Sequence, residues 1–404
     1  MKYIVILGDG MADYPIPQLN NLTPLQFANK PNIDLLARNG VVGLVKTIPE
    51  GMSPGSDTAN LSVMGYNPKE YYTGRSPLEA VSMGVNLSET DVAFRCNLVT
   101  LSDEYDYAKK TMVDYSSDEI SSQEAAELIK TVNNHFKTGE IVFYPGISYR
   151  HCMVWSEGQV RLKLTPPHDI LEKKITDHLP HGEYGKMLLE MMVKSYDLLK
   201  DHPVNKARIA KGLRPANSIW LWGEGRKPVI PEFQEKFGLK GSVISAVDLI
   251  KGIGICAGLK PVEVEGATGN IHTNFLGKAK AALQELESGY DFVYVHIEAP
   301  DESGHRHEIE NKVKSIELID RDVVGTIIKG MENVDDYRIL ILPDHPTPLS
   351  LRTHTAEPVP FIVYQKSWNY ASGVNGYDEF QAKDTGVFVD EGFTLMGRFI
   401  HGQF

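Results

Sequence analysis

The chain predicts an α/β protein: a mostly parallel sheet with helices on both faces, interrupted by an inserted α+β segment. Three observations carry this. Short, nearly continuous apolar runs occur at both ends of the sequence, as in Tyr3–Leu7, Phe292–Ile297 and Tyr337–Leu342. Amphipathic stretches of helical period separate them. The middle of the chain instead has runs typical of antiparallel strands.

Each element follows from local chemistry. Tyr3–Leu7 is β-rich and ends in Gly8-Asp9-Gly10, a strand running into a glycine turn with a carboxylate at its tip. Asn32–Asn39 has apolar residues at helical spacing with Gly40 as a stop signal, and Val41–Val45 reads as the next strand. Near the other end, Phe292–Ile297 leads through a loop into a helical segment, Ile309–Lys329. Tyr337–Leu342 and Pro360–Tyr364 are further strands. In between, Asp91–Leu101, Ile141–Trp155 and Val160–Leu164 read as strands, and Ser122–Phe136 and Tyr184–Asp201 as helices. The polar, proline-containing stretch Asp201–Asn217 reads as a connector. These assignments place an insertion at 90–212 within a discontinuous larger domain, 1–89 and 213–404.

Bulk properties narrow the function. The 404 residues suit two or three domains. At 42% apolar and 23% charged, the composition is that of a folded protein. A net charge of −12 argues against a general nucleic-acid or anionic-membrane binder, though not against an anionic substrate held by a few arginines or metal ions. The three cysteines, Cys96, Cys152 and Cys256, form no CxxC pair, so neither a zinc ribbon nor a disulfide framework is expected. The N-terminal apolar run is too short to span a membrane and lacks a cleavage region, which makes a cytoplasmic enzyme the default expectation.

The chemistry concentrates at strand ends. The first strand ends at Asp9, the Phe292–Ile297 strand is followed by Asp301-Glu-Ser-Gly-His305, and the Tyr337–Leu342 strand runs into Asp344-His345, with His354 nine residues on. Ligands of open parallel sheets bind outside the carboxyl ends of strands, and carboxylate with imidazole suits a divalent metal. Each group also has a plain reading, Asp9 as a turn residue and either Asp-His combination as coincidence; three such groups together favour the metal. His296, within a strand, reads as a packed core residue, and His307 as a solvated loop residue.

Gly51–Asn60 adds a turn, Pro54-Gly55, with Ser56 at or near the start of a helix. Ser56 is either a capping serine or a nucleophile whose alkoxide is favoured by the helix dipole and a bound metal. Arg75, Arg95, Arg150, His151, His168, Asp169, Arg208 and Arg214 are candidates for holding an anionic substrate. For any one of these arginines, simple solvation is the alternative.

These residues resemble those of the archaeal-type cofactor-independent phosphoglycerate mutases of the alkaline phosphatase superfamily. The resemblance runs along nearly the whole chain. It rests on GDGMAD (8–13), NKPNIDLLARNG (29–40), PGSDTANLSVMGY (54–66), TGRSPLEA (73–80), DVAFRCNLVT (91–100), YRH (149–151), PPHD (166–169), APDESGH (299–305) and LPDH (342–345).

It implies an alkaline-phosphatase-like larger domain, with the insertion as a substrate-binding cap that closes to exclude water. It also implies two divalent ions (Mn²⁺, Zn²⁺, Co²⁺ or Mg²⁺), one held by Asp301, His305 and His354, the other by Asp9, Ser56, Asp344 and His345. The implied reaction is the glycolytic and gluconeogenic interconversion of 3-phosphoglycerate and 2-phosphoglycerate through phosphoserine on Ser56, without 2,3-bisphosphoglycerate. The substrate is a small phosphorylated carboxylate, with no nucleic-acid or membrane partner; the metal and the oligomeric state are left open. Three alternatives stay open: a homoserine kinase on the same scaffold, for which no GxxxxGK[ST] loop is present, a metal-dependent phosphomonoesterase, and a non-catalytic scaffold.

Overall fold

Among the described residues thirteen strands form in chain order: β1 (Lys2–Gly8), β2 (Val41–Val45), β3 (Val92–Leu101), β4 (Met112–Asp114), β5 (Ile141–Tyr144), β6 (Arg150–Trp155), β7 (Ser218–Arg226), β8 (Gly241–Ile244), β9 (Lys260–Val262), β10 (Phe292–Ile297), β11 (Tyr337–Leu342), β12 (Val359–Gln365) and β13 (Phe388–Val389). The structure, a computed structural model, describes residues 1–160 and 162–404. The chain divides into two compact units, Met1–Tyr72 with Ile230–Phe404, and Thr73–Val229.

The first unit is built on an eight-stranded sheet of order β13-β2-β12-β11-β1-β10-β8-β9. β1 lies at its centre, parallel to β10 on one side (Ile4 opposite Val293, Leu7 opposite His296) and to β11 on the other (Val5 opposite Leu340). Its residues Ile4, Val5, Ile6 and Leu7 are fully buried, which is why the sequence shows a continuous apolar run rather than alternation. The predicted strand at Pro360–Tyr364 forms as β12, but it runs antiparallel to both β11 and β2. An apolar run buried on both faces carries no mark of direction, so the reversal was not visible beforehand.

Helices cover this sheet. Pro31–Arg38 begins with proline at its first position, which suits the start of a helix, and buries Ile33, Leu36 and Ala37. The predicted helix over Ile309–Lys329 is regular from Ile309 to Leu318, widens to a π-helical turn at Ile319–Val324 and resumes at Gly325–Gly330. The widening accompanies a specific contact: Asp320, on that turn, accepts hydrogen bonds from the Ile33 backbone N–H (2.7 Å) and from Asn32 Nδ2 (2.9 Å). It thereby satisfies open donors at the start of the Pro31–Arg38 helix.

The second unit has a five-stranded sheet in which β3 pairs antiparallel with β4, β6 and β7, and β6 with β5. The helices Ser122–Phe136 and Gly185–Leu199 bury Leu128, Ile129, Leu188 and Met192 in a core that also takes in Phe94, Met153 and Trp220. The expected edges of the insertion, 89/90 and 212/213, move outward to 72/73 and 229/230. The cause is pairing: β7 completes the sheet beside β3, with Asn97 opposite Trp220, and therefore belongs with the insertion.

Asp201–Asn217 is not an open connector, because Pro203–Ala210 is a helix whose Asn205 and Arg208 are buried. The expected strand Val160–Leu164 includes Arg161, which lies outside the described residues. Among its described positions, Lys163 makes an isolated bridge to His181. No helix among the described residues is long and apolar enough to cross a membrane.

Candidate metal centre

The central strands of the first unit deliver their ligand candidates to one edge of the sheet. β1 ends in the turn carrying Asp9. β10 runs into the helix Ala299–His305, where Asp301 and His305, four residues apart, share a face. β11 runs into Asp344 and His345. Gly10 makes this convergence possible: its φ is +64°, and a Cβ there would lie 2.6 Å from Thr347 Oγ1 and 2.8 Å from the Asp301 Cα.

Three overlapping groups result among the described residues, one of them Asp9, His296 and Asp344. Asp301, His305 and His354 offer ligand atoms within 4.8 Å of one another. His305 Nε2 lies 3.3 Å from Asp301 Oδ2 and 2.9 Å from His354 Nε2, and His354 Nε2 lies 3.3 Å from Asp301 Oδ1. Asp9, Asp301 and His345 form an adjoining group. His345 Nε2 is 3.4 Å from Asp344 Oδ2, 3.7 Å from Asp9 Oδ1 and 3.1 Å from Ser56 Oγ. All seven positions singled out from the sequence as ligands therefore meet here.

Ser56 is the first residue of the helix Ser56–Val63, with Gly55 in the capping position and no side-chain cap. Its hydroxyl is thus not engaged as a helix cap and stands toward His345.

The electrostatics of the cluster call for a cation. Asp9, Asp301 and Asp344 are buried together, and Asp9 Oδ1 has no hydrogen-bond partner among the described residues. Burial, reinforced by the neighbouring Asp344 and Asp301 charges, pushes the Asp9 carboxyl well above its ordinary range. Burial acts the same way on Asp301, but hydrogen bonds with His305 and His354 outweigh it and hold that carboxyl well below its usual range. The bond to Asp301 raises His305 to about 9, whereas burial lowers His345. An orphaned buried carboxylate oxygen among imidazole nitrogens is the donor set of a divalent transition metal. The residues present fit such an ion.

Two residues of the centre, Asn60 and Thr347, lay beyond the sequence reading, and a third, His296, is expected from it only as a packed core residue. His296 is buried in the sheet, as its position in a strand suggested. It also places Nε2 3.0 Å from Asp9 Oδ2 and Nδ1 3.1 Å from Ser245 Oγ, while burial depresses its pKa to about 3. A neutral ring is thereby suited to orient Asp9. Asn60 donates to the Ser56 carbonyl and to Asp344 Oδ2, and accepts from the Tyr294 hydroxyl at 2.6 Å. Thr347 donates to Asp301 Oδ1. The only signal for Asn60 and Thr347 was polarity inside apolar surroundings close to the candidate ligands. His307, read as a loop residue, is exposed, with Nδ1 2.6 Å from the Leu349 carbonyl oxygen.

The remaining candidates lie in the second unit. Arg95 pairs with Glu79 and stacks 4.6 Å from the Trp222 ring. Trp222 contacts His168, His168 contacts Tyr115, Tyr115 contacts Tyr149, and Arg150 lies over Tyr149. These residues form one continuous cationic and aromatic patch. Arg75 is exposed, as is Asp169, which lies 3.7 Å from His168 Nε2. His151 is buried; its Nδ1 accepts from the Gly146 N–H, its Nε2 has no partner among the described residues, and burial lowers its pKa to about 3.

Arg208 departs from expectation. It is 2% exposed, and its guanidinium donates to the Arg214 and Ser117 carbonyls and to Glu124 Oε2. With its donors spent inside the unit, it fastens the turn Ser117-Asp118-Glu119, whose three residues all have positive φ. Arg214 supports the same turn through Asp114 (3.1 Å) and Asp118 (3.6 Å).

Comparison with known proteins agrees with this architecture. The family model for 2,3-bisphosphoglycerate-independent phosphoglycerate mutase matches residues 37–205. The chain is 50% identical to the 2,3-bisphosphoglycerate-independent phosphoglycerate mutase of Methanothrix thermoacetophila, over 100% of both chains. Among solved structures, a protein of Pyrococcus horikoshii superposes with a TM-score of 0.83 at 30% identity, covering 99% of this chain and 96% of that one. The cofactor-independent phosphoglycerate mutase of Thermoplasma acidophilum superposes with a TM-score of 0.69 at 26% identity over 99% of each. The chain belongs to the 2,3-bisphosphoglycerate-independent phosphoglycerate mutase family.

Proposed function

We propose that this chain interconverts 3-phosphoglycerate and 2-phosphoglycerate without 2,3-bisphosphoglycerate, using Ser56 as the phosphoryl carrier. The observation that carries this reading is the 3.1 Å approach of Ser56 Oγ to His345 Nε2, beside three buried carboxylates with an unsatisfied oxygen. Asp301, His305 and His354 would hold one divalent ion, and Asp9, Ser56, Asp344 and His345 a second. Bound there, the ions supply charge neutralisation for a phosphoryl group and favour an ionised serine hydroxyl.

The chain's own residues do the rest. As the first residue of its helix, Ser56 lies at the positive end of the dipole, where negative charge on Oγ is favoured. Its hydroxyl gives up its proton as the oxygen attacks phosphorus; the substrate's phosphate ester bond breaks, the departing oxygen takes up a proton, and glycerate stays bound beside phosphoserine. The other hydroxyl of glycerate then attacks that phosphorus, and the Ser56 oxygen departs. Asn60, by binding both the Ser56 carbonyl and Asp344, keeps nucleophile and ligand in register. In the second unit, Arg75, Arg95, Arg150, His151, His168 and Asp169 supply the donors and relay groups that a small phosphorylated carboxylate requires.

The test is to supply Mn²⁺-loaded protein with 3-phosphoglycerate, free of 2,3-bisphosphoglycerate, and follow 2-phosphoglycerate. Its appearance is the expected result. Free phosphate in its place would make the protein a phosphomonoesterase, ATP-dependent phosphorylation of homoserine a kinase, and silence in all three assays a non-catalytic scaffold.

A further inference from the structure

The loops bearing the ligand candidates are tied together by a buried ion pair that itself supplies no ligand. Lys312, on the helix Ile309–Leu318, is 0% exposed. Its ammonium lies 2.7 Å from Asp13 Oδ2, 2.8 Å from the Thr347 carbonyl oxygen and 3.4 Å from the Ala12 carbonyl oxygen. Those partners come from two different loops. Ala12 and Asp13 follow Asp9 in the turn after β1, and Thr347 follows Asp344 and His345 in the loop after β11. The carboxylate completes the clamp, since Asp13 accepts the Leu349 N–H at 3.1 Å. The Thr347 N–H also donates to the Ala12 carbonyl.

The third ligand-bearing segment joins at the same point. Ala299–His305, which carries Asp301 and His305, precedes the lysine's own helix. A Cβ at Gly304 would lie 2.5 Å from the Thr347 carbonyl oxygen that Lys312 binds. The Thr347 hydroxyl in turn donates to Asp301 Oδ1. One ammonium, with all three of its acceptors belonging to these loops, thus fixes the spacing of the segments that carry Asp9, Asp301, His305, Asp344 and His345.

We propose that the buried Lys312–Asp13 pair is a positioning device for the metal centre: it sets the spacing of the ligand loops and so the affinity for the ions, without touching ion or substrate. The proposal rests on the metal-centre reading above. A buried ion pair is an expensive way to gain stability, because two charges must leave water, and an apolar pair of similar volume serves as well or better. Holding loops in one register is a task for which directional, charge-assisted bonds are suited.

The test measures Mn²⁺ binding to metal-free protein by calorimetry, beside circular dichroism and thermal melting in chelator. Three variants are compared with wild type: Lys312→Arg, Lys312→Met, and Lys312→Met with Asp13→Asn, which leaves neither charge unpaired. The expected result is a native far-ultraviolet spectrum with Mn²⁺ affinity weakened roughly tenfold to a hundredfold, the range typical of groups that orient metal ligands. In the double variant the affinity loss should persist even where the melting temperature recovers.

Wild-type affinity in the folded variants would overturn the proposal. So would failure of all three to fold, since the pair would then serve the fold itself. Wild-type protein that binds none of Mn²⁺, Zn²⁺, Co²⁺ and Mg²⁺ would instead refute the metal-centre reading, which keeps the two failures distinct.

Discussion

Replacing Ser56 with alanine separates chemistry from architecture at this centre. The Ser56 hydroxyl is half-buried, and its side-chain partner is His345 Nε2 at 3.1 Å. Losing one such hydrogen bond costs about 1 kcal/mol. In a unit of this size that lowers the melting temperature by about 2–4 °C in chelator. The helix loses no cap, because Gly55 rather than Ser56 occupies the capping position. Under the proposed mechanism, by contrast, mutase turnover needs an oxygen at that point to carry phosphorus. Its removal should cost about 10⁴- to 10⁶-fold in kcat, the scale seen when a nucleophile is deleted from a site that acts as a unit. The assay couples 2-phosphoglycerate formation to enolase and follows absorbance, with ³²P-labelled substrate used to look for phosphoprotein. Ser56→Ala retaining a tenth of wild-type turnover would refute the assignment of Ser56 as carrier. A melting temperature more than about 10 °C lower would refute the claim that the side chain is structurally minor.

Other outcomes follow from the same geometry. Chelation should abolish turnover and lower the melting temperature, with Mn²⁺ restoring both, because Asp9, Asp301 and Asp344 are left crowded and Asp9 Oδ1 unpaired; a melt indifferent to chelator and metal would count against an ion at this site. Asn60→Ala strands the buried Tyr294 hydroxyl and Asp344 Oδ2, so it should destabilise the protein by about 2–4 kcal/mol in denaturant titration; a loss under 1 kcal/mol would show that the network tolerates the gap. Arg208→Ala should cost about 1–3 kcal/mol by stranding the Ser117 carbonyl and unpairing the partly exposed Glu124, and a rise in KM at unchanged stability would return Arg208 to the substrate.

The Glu379 carboxyl, raised to about 7 chiefly by burial, bears on pH dependence. Its folded pKa exceeds its unfolded value, so its contribution to stability is full below pH 4.5 and is lost as pH rises through about 7. Glu379→Gln should flatten that part of the stability–pH curve, and an unchanged curve would remove Glu379 as its source.

Much of the centre was legible because its chemistry sits where parallel strands end. Gly8-Asp9-Gly10, Asp301 with His305, and Asp344-His345 each follow an apolar run, and that position is itself informative. What could not be read was anything that depends on a partner distant in sequence. β12 looks the same whichever way it runs. Nothing within Ser218–Arg226 tells which sheet it will join, so the expected insertion is too short. Arg208 resembles any arginine until Glu124 and the Ser117 carbonyl are seen around it. His296 was read as a core residue, and its pairing with Asp9 depends on the register of β1 against β10, which sequence alone does not supply.

The placement of β1 at the middle of its sheet also bears on synthesis. It leaves the ribosome before the other twelve strands described, yet both its neighbours, β10 and β11, follow more than 280 residues later. At the usual pace of translation, about 5–20 residues per second, the nascent strand waits roughly 15–60 s for β10 to emerge. During that wait an apolar segment has no edge to join. The inserted unit has its sheet and core entirely within Thr73–Val229, so its contacts can close while the first sheet is still being made. The proposed metal ligands, spread from Asp9 to His354, come together only once β11 and the loop after it have emerged, so a product truncated before β11 would lack Asp344, His345 and His354.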